Sequence, residues 1–283
     1  MKKFLYYALI CVFCATFLVS VYFIGDYYLE SLTTQSGYDA LSGIVEQSKD
    51  PANTKPPIIF IPPVIDGGTP TAPQGETLPE GETAPEQTGS VILSEYADLY
   101  LMNSDIVGWI RIEDTNVNYP VMQTPNEHDF YLKRDFSKER NQNGCIYVRE
   151  QCDVFAPSDN LTIYGHNMRS GAMFHDLAKF RSKDFWESHK TFTFDTIIAH
   201  HTYEIVAVFT TTASVGKGFA YHHFVNARDE ADFDRYVATA KDLALYDTGV
   251  TATYGDKLIT LSTCEYSQTN GRLVVVAKRI TEG

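Results

Sequence analysis

Positive charge is scarce in this chain. Its 283 residues include 23 Lys and Arg against 36 Asp and Glu, which gives a formal net charge of −13. A nucleic-acid-binding surface needs clustered basic residues, and the sequence has no Lys/Arg cluster that argues for one. We therefore expect no nucleic-acid partner. The acidity itself favours solubility and indicates no particular function.

Charge of either sign is absent from residues 4–24, which are apolar or small throughout. A run of this length matches the roughly 20 residues that cross a bilayer as a helix. Lys2 and Lys3 precede the run and favour a cytoplasmic N-terminus, so the rest of the chain is expected outside the cell. A cleaved signal peptide is the alternative, but the run is longer than a usual signal core and has no Ala-x-Ala site after it. The sequence thus predicts a cytoplasmic tail at 1–3 and a retained single-pass anchor at 4–24.

Basic residues are also missing between Lys55 and Arg111, and prolines punctuate the first part of that stretch. With Gly, Thr and Glu interleaved, residues 51–89 cannot bury a core and are expected to be extended. Residues 27–50 are expected to continue the anchor helix for a few turns and then fray. We therefore predict an extracytoplasmic Pro/Gly/Thr/Glu-rich stalk over 25–89 and a folded domain over 90–283.

Cysteines are few, and four of the five have unremarkable explanations. Cys11 and Cys14 lie in the apolar run, where they are typical small hydrophobes. Cys145 and Cys152 flank a strand-like segment that would separate them by ~20 Å if extended, too far for a disulfide unless the chain doubles back. We expect both to be free, although a bond between them stays open. Cys264 is then the odd thiol and a candidate reactive group.

The folded part is dominated by short apolar runs bounded by Asn, Asp, Gly or Pro, which are typical of β-strands. A short helix is expected near residues 93–106, and two helical inserts are predicted at 173–189 and 229–245. We predict a single, mostly antiparallel β-barrel with peripheral helices. The eight predicted strands are residues 108–112, 117–122, 145–148, 161–164, 191–194, 203–210, 257–264 and 272–280.

Three polar side chains stand at the ends of predicted strands. Cys264 ends one apolar run and Arg272 begins the next, so a hairpin would bring them to the same rim of a sheet. His166 follows a third run in Tyr164-Gly165-His166-Asn167. A thiol, an imidazole and a guanidinium can perform acyl transfer as nucleophile, proton carrier and oxyanion stabiliser. Each has an ordinary alternative: a structural cysteine, a turn histidine or a solvated arginine.

These motifs together resemble a sortase, the transpeptidase family of Gram-positive cell surfaces. The similarity covers residues 90–280 and rests on Tyr164-Gly165-His166-Asn167, Leu261-Ser262-Thr263-Cys264 and Arg272-Leu273-Val274-Val275-Val276, in the order His, Cys, Arg. Class B is favoured by a helix ahead of the barrel, by the helical insert at 229–245 and by Glu265 directly after Cys264. Class C is expected to carry a lid and a C-terminal anchor, which are not seen here.

The resemblance implies a sortase-like closed eight-stranded barrel and a role for each motif residue. Cys264 would attack the bond after Thr in a C-terminal sorting signal and form a thioester. His166 would protonate the leaving amine and deprotonate the incoming one, and Arg272 would orient the substrate and steady the tetrahedral intermediates. Ser262, Thr263 and Glu265 match the region that lines the substrate groove.

The resemblance also implies the partners. These are surface proteins with a C-terminal sorting signal and an amino group of the peptidoglycan cross-bridge or of lipid II, met by a membrane-anchored enzyme outside the cell. The loop between Cys264 and Arg272 is shorter than in some class B relatives, so the preferred sorting motif is not implied.

Two other functions stay open at this point. A cysteine peptidase could hydrolyse wall or surface peptides, although papain-like wall hydrolases place the cysteine before the histidine. A non-catalytic, membrane-anchored β-barrel could bind its partner with Cys264 merely buried. We expect no cofactor and no metal site, because the pairs His200-His201 and His222-His223 have no acidic or thiol ligand at a recognisable spacing.

Overall fold

The computed structural model describes residues 2–50, 53, 56–62, 89–214, 216–267 and 269–280. Its strands are β1 (Ile59–Phe60), β2 (Ser90–Val91), β3 (Ile106–Arg111), β4 (Asn118–Met122), β5 (Ile146–Val148), β6 (Asn160–Tyr164), β7 (Thr191–Thr196), β8 (Thr202–Thr212), β9 (Leu258–Glu265) and β10 (Gly271–Ile280). The last eight close into a barrel in the order β10-β8-β7-β3-β4-β5-β6-β9. The predicted eight-stranded barrel is confirmed, with each predicted run forming one strand.

Most neighbouring strands are antiparallel, but two pairs are parallel. β4 pairs with β5, and β6 pairs with β9, in parallel register. A parallel pair needs a long connection between its strands. The connection from β6 to β9 includes β7, β8 and the helix α4 (Glu230–Asp242). The helix α4 corresponds to the insert predicted at 229–245.

The remaining helices of the barrel domain are short and lie outside the strands. The helix α2 (Ser94–Met102) precedes the barrel. The predicted insert at 173–189 is two elements, a 3₁₀ helix at His175–Arg181 and the helix α3 (Lys183–Ser188).

Strands β9 and β10 carry a separate hydrophobic cluster on each face. Leu261 and Val275 belong to the larger cluster, which fills the barrel. Leu258 and Val274 belong to a second cluster beneath α4. Because side chains alternate along a strand, the residues on the face of Leu258 and Val274 point out of the barrel.

The helix α1 (Lys2–Ser48) is one continuous helix and begins with the predicted anchor. Its most apolar 18-residue window has a mean hydropathy of 2.4 and is not buried in the protein, so the helix is long and apolar enough to cross a membrane. The sequence predicts that this helix frays a few turns beyond the apolar run, but in the structure it continues to Ser48. Its later turns bury one face at intervals of three and four residues, which is the spacing of a helix that packs on a core. The buried positions are Ser31, Thr34, Tyr38, Leu41, Val45 and Ser48.

Polar contacts hold this buried face of α1 against the barrel. The Tyr38 hydroxyl donates to the carbonyl of Gly144 at 2.9 Å, and its ring packs edge-on against Tyr119 with centroids 5.3 Å apart. Asn118 donates its side-chain amide to Ser42 at 2.9 Å. Part of the segment that we assigned to the stalk is therefore a helix in contact with the folded domain.

The rest of the predicted stalk is described only in short pieces. β1 pairs with β2, and the Phe60 ring is buried against the barrel. Residues 51–52, 54–55 and 63–88 lie outside the described residues, so the extended conformation predicted there stays a prediction.

Removing the Tyr38 side chain should destabilise the whole domain. Tyr38 is buried, so Tyr38→Ala leaves a cavity, and large-to-small changes of an aromatic residue cost about 3–5 kcal/mol. Tyr38→Phe keeps the ring and loses only the hydroxyl bond, at a cost of about 0.5–1.5 kcal/mol. Denaturant unfolding of the full chain in detergent, followed by tryptophan fluorescence, measures both. Equal unfolding midpoints for Tyr38→Ala and wild type would show that α1 does not stabilise the barrel.

Candidate active site

The antiparallel pairing of β9 and β10 places Cys264 directly opposite Arg272. Residues directly opposite each other in an antiparallel pair share a face, with Cβ atoms about 4.5–5.5 Å apart. Cys264 is on the same face of β9 as Leu258, and Arg272 is on the same face of β10 as Val274. Both side chains are therefore on the outer face of the barrel. The thiol is partly accessible, since Cys264 is neither buried nor fully exposed.

The parallel pairing of β6 and β9 brings His166 to the same end of the barrel. Tyr164 is the partner of Ser262, and each chain runs two residues further, to His166 and Cys264. Two hydrogen bonds continue the ladder past the strand. The Gly165 amide donates to the Ser262 carbonyl at 3.2 Å, and the Thr263 hydroxyl donates to the Gly165 carbonyl at 2.8 Å.

The glycine before His166 is required by packing. A Cβ atom at Gly165 would lie 2.5 Å from the Ile146 side chain and 2.6 Å from the Phe174 ring. Such distances are too short for carbon atoms in contact, so a larger residue would require the Ile146 and Phe174 side chains or the His166 segment to shift.

His166, Cys264 and Arg272 all line one cavity of about 370 Å³. Its charged lining consists of Arg149, Arg272 and Asp129, so the cavity is net positive in a protein whose net charge is −13. The other lining residues are His128, Leu132, Tyr147, Tyr164, Gly165, His166, Ala213, Tyr221, His222, His223, Ser262, Thr263 and Cys264.

One nitrogen of His166 is held by the backbone. His166 Nε2 lies 2.7 Å from the carbonyl oxygen of Leu132, in the 3₁₀ turn Phe130–Lys133. A carbonyl oxygen only accepts, so Nε2 carries the proton in this bond. Nδ1 is then the nitrogen that can exchange a proton with a substrate.

Asn167 ties the loop after His166 to the end of β9. Its side-chain amide donates to the Cys264 carbonyl at 2.9 Å, and its Oδ1 lies 2.9 Å from His175 Nδ1. Its own carbonyl accepts from the Tyr266 hydroxyl at 2.9 Å. Asn167 belongs to the motif quoted above, but the sequence did not indicate this bridging role, because the contacts join segments about a hundred residues apart.

A buried hydroxyl network underlies Cys264 on the outer face of β9. The Tyr221 and Ser262 hydroxyl oxygens are 2.6 Å apart, and the Tyr236 hydroxyl is 2.9 Å from Thr260 Oγ1. Burial raises the pKa of Tyr221, so its hydroxyl stays protonated. The sequence analysis did not identify Tyr221 as a site residue. In that segment it considered only the neighbouring pair His222-His223, as possible metal ligands.

The three residues predicted to bind substrate occupy different positions. Ser262 and Thr263 line the cavity, although both hydroxyls are engaged in the bonds described above. Glu265 does not line it. Its carboxylate pairs with Arg181 at 2.7 Å and accepts from the Ser267 hydroxyl at 2.7 Å.

The two histidine pairs also differ in location. His222 and His223 line the cavity, and burial, followed by the nearby cations, lowers the pKa of His222 to about 4. His200 pairs with Asp195 and Glu95, outside the cavity. Within the part of the chain that the structure describes, no group of three His, Cys, Asp or Glu side chains is arranged to hold a metal ion.

Comparisons with known proteins agree on one family. A Sortase domain model matches residues 110–280. Sortase B of Listeria monocytogenes is 34% identical over 193 residues, covering 68% of this chain and 76% of that protein. A Bacillus anthracis crystal structure, described as similar to sortase B, has a TM-score of 0.66 and 26% identity and covers 89% of this chain and 98% of that one. A Staphylococcus aureus sortase B structure has a TM-score of 0.62 and 31% identity, covering 68% and 89%.

The closed barrel and these matches define a cysteine transpeptidase of the cell envelope, with a helix at its N-terminus that could span a membrane. The chain belongs to the sortase family, and the relatives it matches are sortase B proteins.

Proposed function

We propose that this sortase cleaves a C-terminal sorting motif after its threonine and attaches the surface protein to a peptidoglycan amino group. The observation that supports this most directly is the cross-strand pair of Cys264 and Arg272, with His166 on the same cavity. A sortase B structure in complex with triglycine shows that a related protein, 31% identical, binds a glycine peptide. A glycine peptide offers the kind of primary amine that a wall cross-bridge carries.

Cys264 is the proposed nucleophile because of where the other thiols lie. Cys145 and Cys152 are free but buried. Burial raises the pKa of Cys145 far above its ordinary value and that of Cys152 to about 11, so both stay protonated at neutral pH. Cys11 and Cys14 lie in the apolar part of α1. A thiolate is the reactive form of cysteine, and the partly accessible Cys264 lines a cavity that carries two arginines.

The reaction proceeds in two halves. In the first, His166 holds the proton lost by the Cys264 thiol, the thiolate attacks the carbonyl carbon of Thr, and Arg272 stabilises the oxyanion that forms. The peptide C–N bond then breaks, and His166 gives a proton to the leaving amine, which leaves a thioester on Cys264. In the second half, the acceptor amine attacks the thioester and passes a proton to His166. A new amide bond forms as the Cys264 thiolate departs.

The residues next to Cys264 on β9 define the proposed substrate-binding positions. Ser262 and Thr263 line the cavity next to Cys264, but both are buried and their hydroxyls are hydrogen-bonded, so they would form part of the wall of the peptide site rather than offer free hydroxyls to the sorting peptide. Glu265 is ion-paired with Arg181 and can contribute only through the position of the loop that follows β9.

The membrane topology belongs to the same proposal. Residues 4–24 would form a single span with Lys2 and Lys3 on the cytoplasmic side, which places the barrel outside the cell. The acceptor would then be the amino group of a peptidoglycan cross-bridge or of lipid II, because both lie on that side of the membrane.

A product assay tests the reaction. The full chain is incubated with peptides of the LPxTG, NPxTN and SPxTG types, with and without triglycine, and the products and the protein are weighed by mass spectrometry. We expect one motif type to yield a Thr–triglycine ligation product and a transient acyl adduct on Cys264. If the peptide were cleaved to the free acid at the same rate with and without triglycine, the protein would be a cysteine peptidase instead. Peptide binding with no cleavage and no adduct would indicate a binding barrel.

A further inference from the structure

The continuous helix α1 fixes the height of the barrel above the membrane. Two loop residues of the barrel domain contact α1 just beyond the apolar run. The Ser31 hydroxyl donates to the Ser170 hydroxyl at 2.6 Å, and the Gln142 amide donates to the Glu30 carboxylate at 3.0 Å. A helix rises 1.5 Å per residue, so Ser31 lies about 10 Å along the axis from Ile24, the last residue of the run.

The exposed apolar surface of α1 does not stop at Ile24. Tyr28, Leu29 and Leu32 are large apolar side chains with half or more of their surface exposed. Beyond Leu32, α1 exposes no large hydrophobic side chain up to its end at Ser48. Exposed apolar surface on a helix that continues a membrane span is stabilised by lipid rather than by water. If residues 4–24 cross the bilayer core, Leu32, about 12 Å further along the helix axis than Ile24, falls at the outer edge of the headgroup layer.

Two loops next to the candidate active site lie at this level. The loop that follows His166 contains Arg169 and Ser170, and Ser170 bonds to Ser31 as described. The loop that follows Cys264 contains Tyr266, whose hydroxyl donates to the carbonyl of Asn167, three residues before Ser170, at 2.9 Å. Tyr266 is 70% exposed, and tyrosine is a residue type that is enriched at membrane–water interfaces.

We propose that this rim, Arg169 and Ser170 with Tyr266, lies in the headgroup layer of the phospholipid bilayer that holds α1. The Tyr266 ring contacts the region between headgroups and acyl chains, and the Arg169 guanidinium faces lipid phosphate. The proposal rests on the membrane anchor proposed above. Its consequence is that His166 and Cys264, which are within three residues of the rim, meet sorting signals close to the membrane surface.

The opposite end of the barrel supplies a matched control. Tyr254 is also an exposed tyrosine, at 51%, and its ring contacts Phe233 of α4. It precedes the start of β9 at Leu258, whereas Cys264 and Tyr266 are at the end of that strand. At 3.3 Å per residue, Leu258 and Glu265 are about 23 Å apart, more than the thickness of a headgroup layer.

Tryptophan quenching in proteoliposomes tests the proposal without substrate. Tyr266→Trp, Arg169→Trp and Tyr254→Trp are each reconstituted as full chains in phosphatidylcholine vesicles that contain a lipid with a nitroxide on its headgroup. The two native tryptophans, Trp109 and Trp186, are buried, and the wild-type signal is subtracted. We expect the headgroup nitroxide to quench the new tryptophans at 266 and 169 several-fold more than the one at 254.

The possible failures are distinguishable from one another. Equal quenching at 266, 169 and 254 in vesicle-bound protein would overturn the rim proposal and leave the anchor and the transpeptidase reaction standing. Protein that does not float with the vesicles would overturn the anchor and the rim together. Because two independent positions report on the rim, a local disturbance by either substitution does not decide the result.

Discussion

Cys264→Ala is expected to lower kcat/KM for sorting peptides by ~10³-fold or more, because removing a covalent nucleophile removes the whole thioester route. The measurement is peptide cleavage followed by chromatography, with enzyme in excess so that slow residual turnover is visible. Peptide binding should survive, since the cavity keeps its other lining residues.

The control for this variant is Cys152→Ala. It removes a thiol that is buried and away from the cavity, and it should keep activity near the wild-type level at temperatures where the variant is folded. If Cys264→Ala retained wild-type activity, Cys264 would not be the nucleophile. Loss of activity in the Cys152 variant alone would make Cys152 the candidate.

Arg272→Ala is expected to lower kcat by about 10²–10³-fold, the usual cost of removing a donor to an oxyanion. KM should change much less, because the interaction is made mainly in the transition state. In the structure, the guanidinium also donates to the backbone carbonyl of Gly271 at 2.9 Å, which directs the side chain toward the end of β9. Arg272→Lys should recover only part of the activity, since an ammonium group lacks the planar pair of donors.

The matched control is Lys278→Ala, which removes a positive charge from the same strand. Lys278 pairs with Leu258 at the far end of β10, about 20 Å from Arg272. Its loss should leave kcat and KM near the wild-type values. A similar fall in kcat for both variants would mean that general electrostatics, rather than the Cys264–Arg272 pair, accounts for the effect. A rise in KM with unchanged kcat for Arg272→Ala would assign Arg272 to uniform substrate binding rather than to stabilisation of the oxyanion.

The second half of the helix α1 depends on tertiary contacts that a local sequence pattern does not reveal. The sequence indicated the apolar run at 4–24, because absence of charge over 21 residues is a local property. The continuation to Ser48 depends on contacts of Tyr38, Leu41 and Val45 with a barrel that follows much later in the chain. Their spacing of three and four residues was visible, but the surface that they cover was not.

Glu265 illustrates a limit of the motif comparison. It directly follows Cys264, and the motif placed both in the substrate groove. Side chains alternate along a strand, so neighbours point to opposite faces, and Arg181 from the 3₁₀ helix binds the Glu265 carboxylate. Alternation alone does not decide the location of Glu265, because Thr263 is on the same face and lines the cavity. The ion pair with Arg181 engages the Glu265 carboxylate, and this partner is distant in sequence.

Local sequence determined the strands, the apolar run at 4–24 and the three polar residues that stand at strand ends, because periodicity, charge and turn residues act over a few positions. The tertiary structure alone decided that β6 lies parallel to β9, which brings His166 to the end of the barrel that carries Cys264 and Arg272. It also decided that Asn167 joins the loop after His166 to the Cys264 carbonyl and that α1 packs on the barrel. Each of these depends on contacts between segments far apart in the chain, whose pairing follows from closing the barrel and burying its two hydrophobic faces.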